Sequence, residues 1–579
     1  MKKWLYKESK EPNLVSQLQR ELNVPYTVAS LLVQREIPDF DTAKTFFNPK
    51  WSNTHDPFLM RDMDAAITRI QLAIKGKQKI LIYGDYDVDG TTAVSLVYSF
   101  FAKLHEEIAY YIPDRYKEGY GISKAGVEYA IDNGFSLIIA LDCGIKAIDH
   151  VDFAKENNVD FIICDHHRPG NELPKACAVL DPKREDCDYP FKELCGCGIG
   201  FKLIQAYSST IGLNDSDLHV YLDLVAIAIA ADMVPINDEN RILCYFGLKQ
   251  INSAPRMGVV PFIKATKKSK FNVSDLVFTI APKINAAGRI HSGKTAVDLL
   301  ISDSLQTANE ISDQINKYNT ERRSLDKSIT EEALEMIAAN PELQNKNTTV
   351  LYSPTWHKGV IGIVASRLIE TYYRPTIILS KSGDVVSGSA RSVREFDVYN
   401  ALQACTNELL QFGGHKYAAG LTIAEDKVEE FRTKIESIVQ QTIRRDQLIP
   451  QIEIDSVIEF QELVPDIPRN PLPKLYRILE RFAPFGPSNR RPVFVTHDVV
   501  DNGYSKAIGA DESHLKLNIK QEKHPHIIVS GIAFKFGHLA EMVKSGEPFS
   551  IAYTLELNEW NNQVNLQLNV KDIRFESNL

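Results

Sequence analysis

KILIYGDYDVDG (79–90) runs a short apolar segment straight into three aspartates at alternate positions, Asp85, Asp87 and Asp89. A short apolar run closed by glycine reads as a strand buried on both faces. Carboxylates crowded just past its end repel one another and raise each other's pKa unless cations neutralise them. The plainest reading of such a stretch is a solvated acidic turn. A calcium loop of the EF-hand type is excluded: the twelfth residue counted from Asp85, where a bidentate Glu is required, is Leu96.

Downstream, apolar runs alternate with helical stretches: IAYYIP, GISKAGVEYAIDNG, SLIIALD, KAIDHVDFAKENN and VDFIICD. To about residue 235 this alternation predicts a parallel sheet covered by helices. In such sheets ligands bind at the carboxyl ends of the strands. LDCG (141–144) supplies Asp142 after SLIIA, and CDHH (164–167) supplies Asp165, His166 and His167 after VDFIIC. AADMVP (230–235) supplies Asp232 after LDLVAIAIA, read as one more strand. Singly, an Asp after a strand is a helix cap and a His pair is structural or a surface feature. Four such features at the strand ends of one sheet make a site. Mixed carboxylate and imidazole ligands suit Mn²⁺ or Mg²⁺.

The flanks extend this into an α/β fold class. Residues 1–50 read as short helices (PYTVASLLVQRE, DTAKTFFNP), followed by the amphipathic stretch MDAAITRIQLAIKGK. Ala308, Ile311, Ile315, Tyr318, Leu325 and Ile329 recur at helical spacing over 305–333, with Arg322 in the gap, so one long helix can bridge two domains. TTVLYSP (348–354) opens a second, smaller α/β unit. The runs PVFVTHDVV, HLKLNIK, HIIVSGIAF, FSIAYTLELN and VNLQLNVKDIRF predict a C-terminal OB-fold β-barrel. The expected boundaries are an N-terminal helical segment at 1–50, a parallel-sheet catalytic domain at 51–300, and a connecting helix at 301–345. A substrate-binding domain at 346–448 and the barrel at 449–579 complete them.

Composition narrows the partners less. At 579 residues the chain exceeds what one core supports. A net charge of −9 argues against nucleic acid, which is bound by Lys and Arg. That objection weakens if carboxylates are concentrated at a cation site, where the local sign is reversed. No apolar stretch has the length of a membrane span, and MKKWLYKESK lacks the apolar core of a signal peptide, so a cytoplasmic location is expected. Cys143, Cys164, Cys177 and Cys244 lie in or beside apolar runs, where a reduced Cys acts as a small hydrophobe. Cys187, Cys195 and Cys197 cluster, but Cys-x-Cys is not the spacing of a structural zinc site.

In order, GDYDVDG, LDCG, DHH and AADMVP resemble the four motifs of the DHH phosphoesterase superfamily, and the DYDVDG form resembles the RecJ family of single-strand-specific 5′-exonucleases. The resemblance extends through IPDRYKEGYG (112–121), PKINAAGRI (282–290), WHKGVIGIVASRL (356–368), SGSARS (387–392), GGHKYAAG (413–420) and RFAPFGPSNRRPVF (481–494). It implies hydrolysis of phosphodiester bonds in single-stranded DNA, from the 5′ end, releasing 5′-mononucleotides with two divalent cations, Mn²⁺ or Mg²⁺. Asp87, Asp89, Asp142, His166 and Asp232 would be metal ligands, Asp142 bridging. Asp85, Asp165 and His167 would complete the site as ligands or as residues orienting them, His167 also being a candidate for stabilising the transition state or leaving group. Arg115, Ser389 and Arg391 match positions that hold a 5′-terminal phosphate, and Arg289 and His415 resemble further phosphate or backbone contacts. In LCGCGIG, Cys195 and Cys197 replace the small or branched apolar residues usual in the family, a change expected to affect packing.

On the barrel, Lys506, Lys516, Lys520, Phe534 and Lys535 are candidates for single-strand binding through charge and stacking; the alternative is a solvated face with one core Phe. The family implies a role in DNA repair and recombination as a monomer, beside a RecQ-type helicase and a single-strand binding protein. Two other readings compete. One is a phosphodiesterase or phosphatase acting on short oligonucleotides or cyclic dinucleotides; the other is a catalytically inactive DNA-binding scaffold. The first lacks the barrel, and the second predicts eroded ligands, which are intact here.

Overall fold

The computed structural model describes residues 2–7, 11–266, 268–467, 470–560 and 563–575. They form two compact units, one of residues 55–234 and 246–450, the other of residues 2–54, 235–245 and 451–579.

In the first unit the helix Met63–Lys75 leads into the strand Lys79–Gly84, second in the order of a five-stranded, wholly parallel sheet. Its order is Ile108–Tyr111, Lys79–Gly84, Phe135–Leu141, Asp160–Cys164, Ala178–Leu180. Alternate side chains face opposite sides. Leu81, Tyr83, Ile138 and Ala140 pack with Val127, Ala130, Val151 and Ala154 of the helices Lys124–Asp132 and Ile148–Glu156. On the strand Lys79–Gly84 the helix Val88–Phe101 also packs, and it carries Gly196–Thr210 and Leu222–Asp232 in turn. The near-continuous apolar strands are therefore buried on both faces, as expected of a parallel sheet.

LDLVAIAIA is the exception. Expected as a strand, it forms the helix Leu222–Asp232, buried along nearly its whole length. A continuous apolar run fits either a sandwiched strand or a helix enclosed on every side, and periodicity cannot separate the two. Asp232 therefore ends a helix rather than a strand.

The helix Leu305–Ala338 follows, burying Ala308, Ile315 and Ile329 as expected. It leads to a five-stranded mixed sheet in the order Gln411–His415, Ala418–Ile423, Val385–Arg391, Thr376–Ser382, Thr349–Ser353. Only the last two strands pair in parallel.

In the second unit Phe494–Asp501, Phe549–Trp560, Gln563–Phe575, His524–Ala533 and His514–Gln521 pair in that order, and His514–Gln521 pairs back to Phe494–Asp501. This closed five-stranded barrel is the OB fold expected of the C-terminal runs. The N-terminal helices Pro12–Leu22 and Tyr26–Val33 share its core: Val15, Leu18, Val28 and Leu31 pack with Leu475, Leu479 and Phe482. Residues near the N-terminus also include a strand, Lys3–Tyr6, paired in parallel with Gln451–Ile454. So short a segment carries too little pattern to announce a strand whose partner lies more than 400 positions away.

Candidate active site

Strand register decides the site. Gly84 aligns with Leu141, Leu141 with Cys164, and Cys164 with Leu180. The next residue on each strand is an aspartate, so Asp85, Asp142, Asp165 and Asp181 emerge side by side along one edge. The sequence pattern does not announce Asp181, because its strand is only three residues long. All four are buried.

Asp142 takes a left-handed conformation, φ 59°, which Asp tolerates better than most residues. Its backbone is crowded by Gly196, where a Cβ would lie 2.6 Å from the Asp142 Cβ. Asp87 caps the helix Val88–Phe101, accepting from Gly90 N at 3.1 Å. Asp89, in the first turn, accepts from Gly196 N at 2.6 Å and Cys197 N at 2.7 Å. Those amides open the helix Gly196–Thr210, whose dipole favours a carboxylate at that end. The Cys195 sulfur caps that helix by accepting from Gly198 N, and the backbone amide of Cys197 holds Asp89.

His166 brings the ligands together. Its Nε2 lies 3.2 Å from Asp142 Oδ1, 3.7 Å from Asp232 Oδ2 and 3.8 Å from Asp89 Oδ2. Asp142, His166 and His167 form one set of potential ligand atoms, and Asp89, His166 and Asp232 another, each within 4.8 Å. Asp85 and Asp87 border the sets, and their charges help raise the Asp142 pKa. Asp165 is committed elsewhere. Its Oδ2 accepts from Ile145 N at 2.9 Å, and its Oδ1 from His166 N, His167 N and the His167 ring at 2.8 Å. The other ring nitrogen of His167 lies 3.1 Å from the hydroxyl of Tyr120, a residue inside IPDRYKEGYG that no sequence pattern singles out.

Electrostatics agree with a cation site. Burial, then the neighbouring carboxylates, push Asp89 up to about 7 and Asp232 to about 8, and raise Asp85 and Asp142. Burial lowers His166 to about 3, which leaves it neutral and able to coordinate. Burial alone would raise Asp165, but the His167 hydrogen bond and charge outweigh it and hold it at about 2. The buried Asp142 Oδ1 has no hydrogen-bond partner among the described residues. An unmatched carboxylate oxygen among like charges is what a divalent ion would satisfy, so the donor set fits one.

The expected phosphate residues come from the second sheet, from the helix Ala281–Ile290 and from the loop at Arg115. Ser389 and Arg391 stand on one face of the strand Val385–Arg391, the guanidinium donating to Ser389 Oγ at 2.9 Å. Arg289 donates to Gly359 O at 3.0 Å. Burial and the charges of Arg115 and Arg391 lower it to about 10. Arg115 lies over the Tyr86 ring at 4.9 Å. His415 ends the strand Gln411–His415, its ring nearly parallel to His167 at 6.4 Å. Arg289 also lines a cavity of about 200 Å³ with Ala231, Asn285 and Arg322.

The barrel candidates form no comparable cluster. Lys506 and Lys516 are exposed and opposite one another on adjacent strands, Lys535 is exposed, and Lys520 is half-buried. Phe534 is not a core residue; it is 50% exposed and edge-on to His514. The cysteines form no disulfide, and Cys177, expected to be buried, is exposed.

Comparison with known proteins decides the family. Residues 79–229 match the DHH family N-terminal domain, 345–441 the DHHA1 domain, and 467–572 the RecJ OB domain. The single-stranded-DNA-specific exonuclease RecJ of Bacillus subtilis is 37% identical, over 96% of this chain and 69% of its own length. That of Haemophilus influenzae is 31% identical, over 89% and 90%. The chain belongs to the RecJ family. It is a metal-dependent exonuclease specific for single-stranded DNA. Two solved RecJ structures bear on the fold and the metal. The Thermus thermophilus protein in complex with Mn²⁺ covers 99% of this chain and 79% of its own, with a TM-score of 0.83 at 24% identity, a likeness of fold. An exonuclease RecJ bound to manganese covers 67% of this chain and 96% of its own, with a TM-score of 0.58 at 30% identity. Among the described residues no helix is long and apolar enough to cross a membrane.

Proposed function

We propose that the strand-edge cluster is the catalytic centre and that the chain digests single strands from the 5′ end, releasing 5′-mononucleotides. The observation that carries this reading is the meeting of Asp89, Asp142 and Asp232 on His166, within a helix–sheet core that also presents Arg115, Arg289 and Arg391. Asp87, Asp89, Asp142, His166 and Asp232 would hold two divalent cations, with Asp85 adding negative charge at their border. When bound, such ions lower the pKa of water and offset charge on the oxygens of an in-line displacement at phosphorus.

The chain's own residues do the rest. The amides of Gly196 and Cys197 fix Asp89. Asp165 is a positioning residue: it accepts from His167 Nδ1 and so turns the other ring nitrogen towards the site. His167, with the His415 ring stacked against it, would stabilise the leaving 3′-oxygen. Arg391, Ser389, Arg289 and Arg115 would receive the terminal 5′-phosphate, because guanidinium forks pair with phosphate oxygens. That sets the register of the first scissile bond. The exposed barrel lysines, with Phe534, would bind single-stranded DNA through charge and stacking. A role in DNA repair and recombination, in the cytoplasm and beside a helicase and a single-strand binding protein, fits an enzyme that needs opened strands.

Strands labelled at one end, with and without a 5′-phosphate, test the polarity. Mononucleotides should leave the 5′ end first, faster when the phosphate is present; release from the 3′ end overturns the reading.

A further inference from the structure

Beside the arginines, two loops far apart in sequence meet at Arg289. One is the loop 114–118, held by Asp114: its carboxylate accepts from Tyr116 N at 2.8 Å and Lys117 N at 3.0 Å, while its own amide donates to Glu118 at 2.8 Å. The other is 354–359, pinned by the buried Trp356, whose Nε1 donates to Glu332 at 2.9 Å and whose carbonyl accepts from Ser380 Oγ. Tyr116 joins them. Its hydroxyl donates to the Arg289 carbonyl. Its ring meets His357 edge-on at 5.9 Å, and the Lys358 ammonium lies 5.6 Å from its centre.

Arg289 closes the circuit by donating to Gly359 O at 3.0 Å. The approach is so close that a Cβ on Gly359 would fall 2.5 Å from the Tyr116 hydroxyl, 2.6 Å from Arg289 O and 2.9 Å from His357 Cε1. The latch therefore commits two aromatic rings, a Lys and an obligatory Gly to a junction that holds none of the expected metal or phosphate ligands except Arg289. The charge of Arg115 also bears on His357 and Lys358, which places the latch beside the guanidiniums.

We propose that Tyr116, His357, Lys358 and Gly359 form an end wall that stops a strand from continuing past its terminal phosphate, and so make the enzyme an exonuclease rather than an endonuclease. The inference rests on the reading of Arg115, Arg289, Ser389 and Arg391 as a 5′-phosphate pocket. A nuclease whose pocket is open behind that phosphate would thread an internal phosphodiester just as well, because metal chemistry at the scissile bond does not distinguish ends. A closed wall admits a terminal monoester and rejects a diester by steric exclusion, without base readout.

The test compares three single-stranded substrates: a linear strand with a free 5′-phosphate, the same strand with that phosphate esterified to a short polyethylene glycol, and a covalently closed circle. Wild type should cut the first and spare the others. Tyr116→Ala combined with His357→Ala should raise cleavage of capped strands and circles at least about tenfold, the effect of losing roughly 1.4 kcal/mol of exclusion. KM for the linear strand should rise while kcat holds. Lys358→Ala and Tyr116→Phe, which keep the ring, guard against a variant that misfolds; each should shift the capped-to-free rate ratio in the same direction by less. Variants that digest linear strands yet spare capped strands and circles as wild type does would overturn the end wall. Wild-type digestion from the 3′ end would instead overturn the polarity reading, so the two failures are distinguishable.

Discussion

The carboxylate edge and the arginine pocket are opposite in charge and in construction. The first is built by register: Gly84, Leu141, Cys164 and Leu180 align, so the residues that follow are delivered to one line by backbone hydrogen bonding. The second is assembled from the loop at Arg115, the end of the helix Ala281–Ile290 and the strand Val385–Arg391, elements spread over more than 250 residues of sequence. Carboxylates in the first raise one another's pKa, and guanidiniums in the second lower one another's. Each cluster stores repulsion that a ligand of opposite sign relieves, a cation in one and a phosphate in the other. On the proposed function, the difference says where each activity is vulnerable: chemistry at the edge, and end recognition at the arginines.

Removing a ligand from the edge should give the largest effect. Asp142→Ala deletes the buried carboxylate that faces His166 Nε2 at 3.2 Å, and kcat should fall on the order of 10³-fold or more, since several kcal/mol of charge stabilisation convert at about 1.4 kcal/mol per decade. Steady-state rates in saturating Mn²⁺ check it, with circular dichroism confirming the fold. A drop of less than tenfold would remove Asp142 from the centre. Gly196→Ala ranks next. The added methyl must push on Asp142 without removing any ligand, so a loss of about 10- to 100-fold is expected, in line with the sensitivity of catalysis to displacements near 1 Å.

In the pocket, Arg391→Ala should cost about tenfold or more in KM for 5′-phosphorylated strands, reflecting one or more charge-assisted hydrogen bonds of about 1.5–3 kcal/mol. The kcat should change little. The advantage of phosphorylated over unphosphorylated strands should shrink with it, and an unchanged ratio would separate Arg391 from the terminal phosphate.

The two regions also differ in how far the sequence discloses them. Asp85, Asp142 and Asp165 can be placed because a parallel strand buried on both faces is continuous apolar sequence, and its end is where the run stops. Asp232 is legible as a residue but not in its setting, because the helix Leu222–Asp232 is as apolar as a strand. Asp181 escapes because three residues do not make a pattern. Arg115, Arg289 and Arg391 are picked out by resemblance, since nothing local in a single Arg distinguishes a phosphate ligand from a solvated charge. Tyr116, Tyr120 and His357 act through contacts between distant segments, and the amides of Gly196 and Cys197 are backbone groups without residue identity. Such features arise only when tertiary structure closes.

The smallest expected effect concerns stability and separates the edge from the rest of the molecule. In the unfolded chain Asp89 releases its proton near pH 4, about 3.9; in the folded, metal-free chain it holds that proton to about 7, and Asp232 holds its own to about 8. Below about pH 4 both states are protonated and the edge costs nothing extra. As pH rises from about 4 through 8, the folded state keeps protons that the unfolded chain has already lost, so stability falls across that window and levels off above it. Metal-free protein should therefore melt several degrees lower at about pH 8.5 than at about pH 6. Saturating Mn²⁺ should flatten or reverse that slope, because the ion binds the deprotonated carboxylates of the folded state only. Replacing Asp232 with Asn should also flatten the metal-free slope, whereas Arg391→Ala should leave it untouched. A slope left unchanged in Asp232→Asn would mean that Asp232 takes no part in the repulsion, and the contrast in sign between the two clusters would lose that part of its thermodynamic meaning.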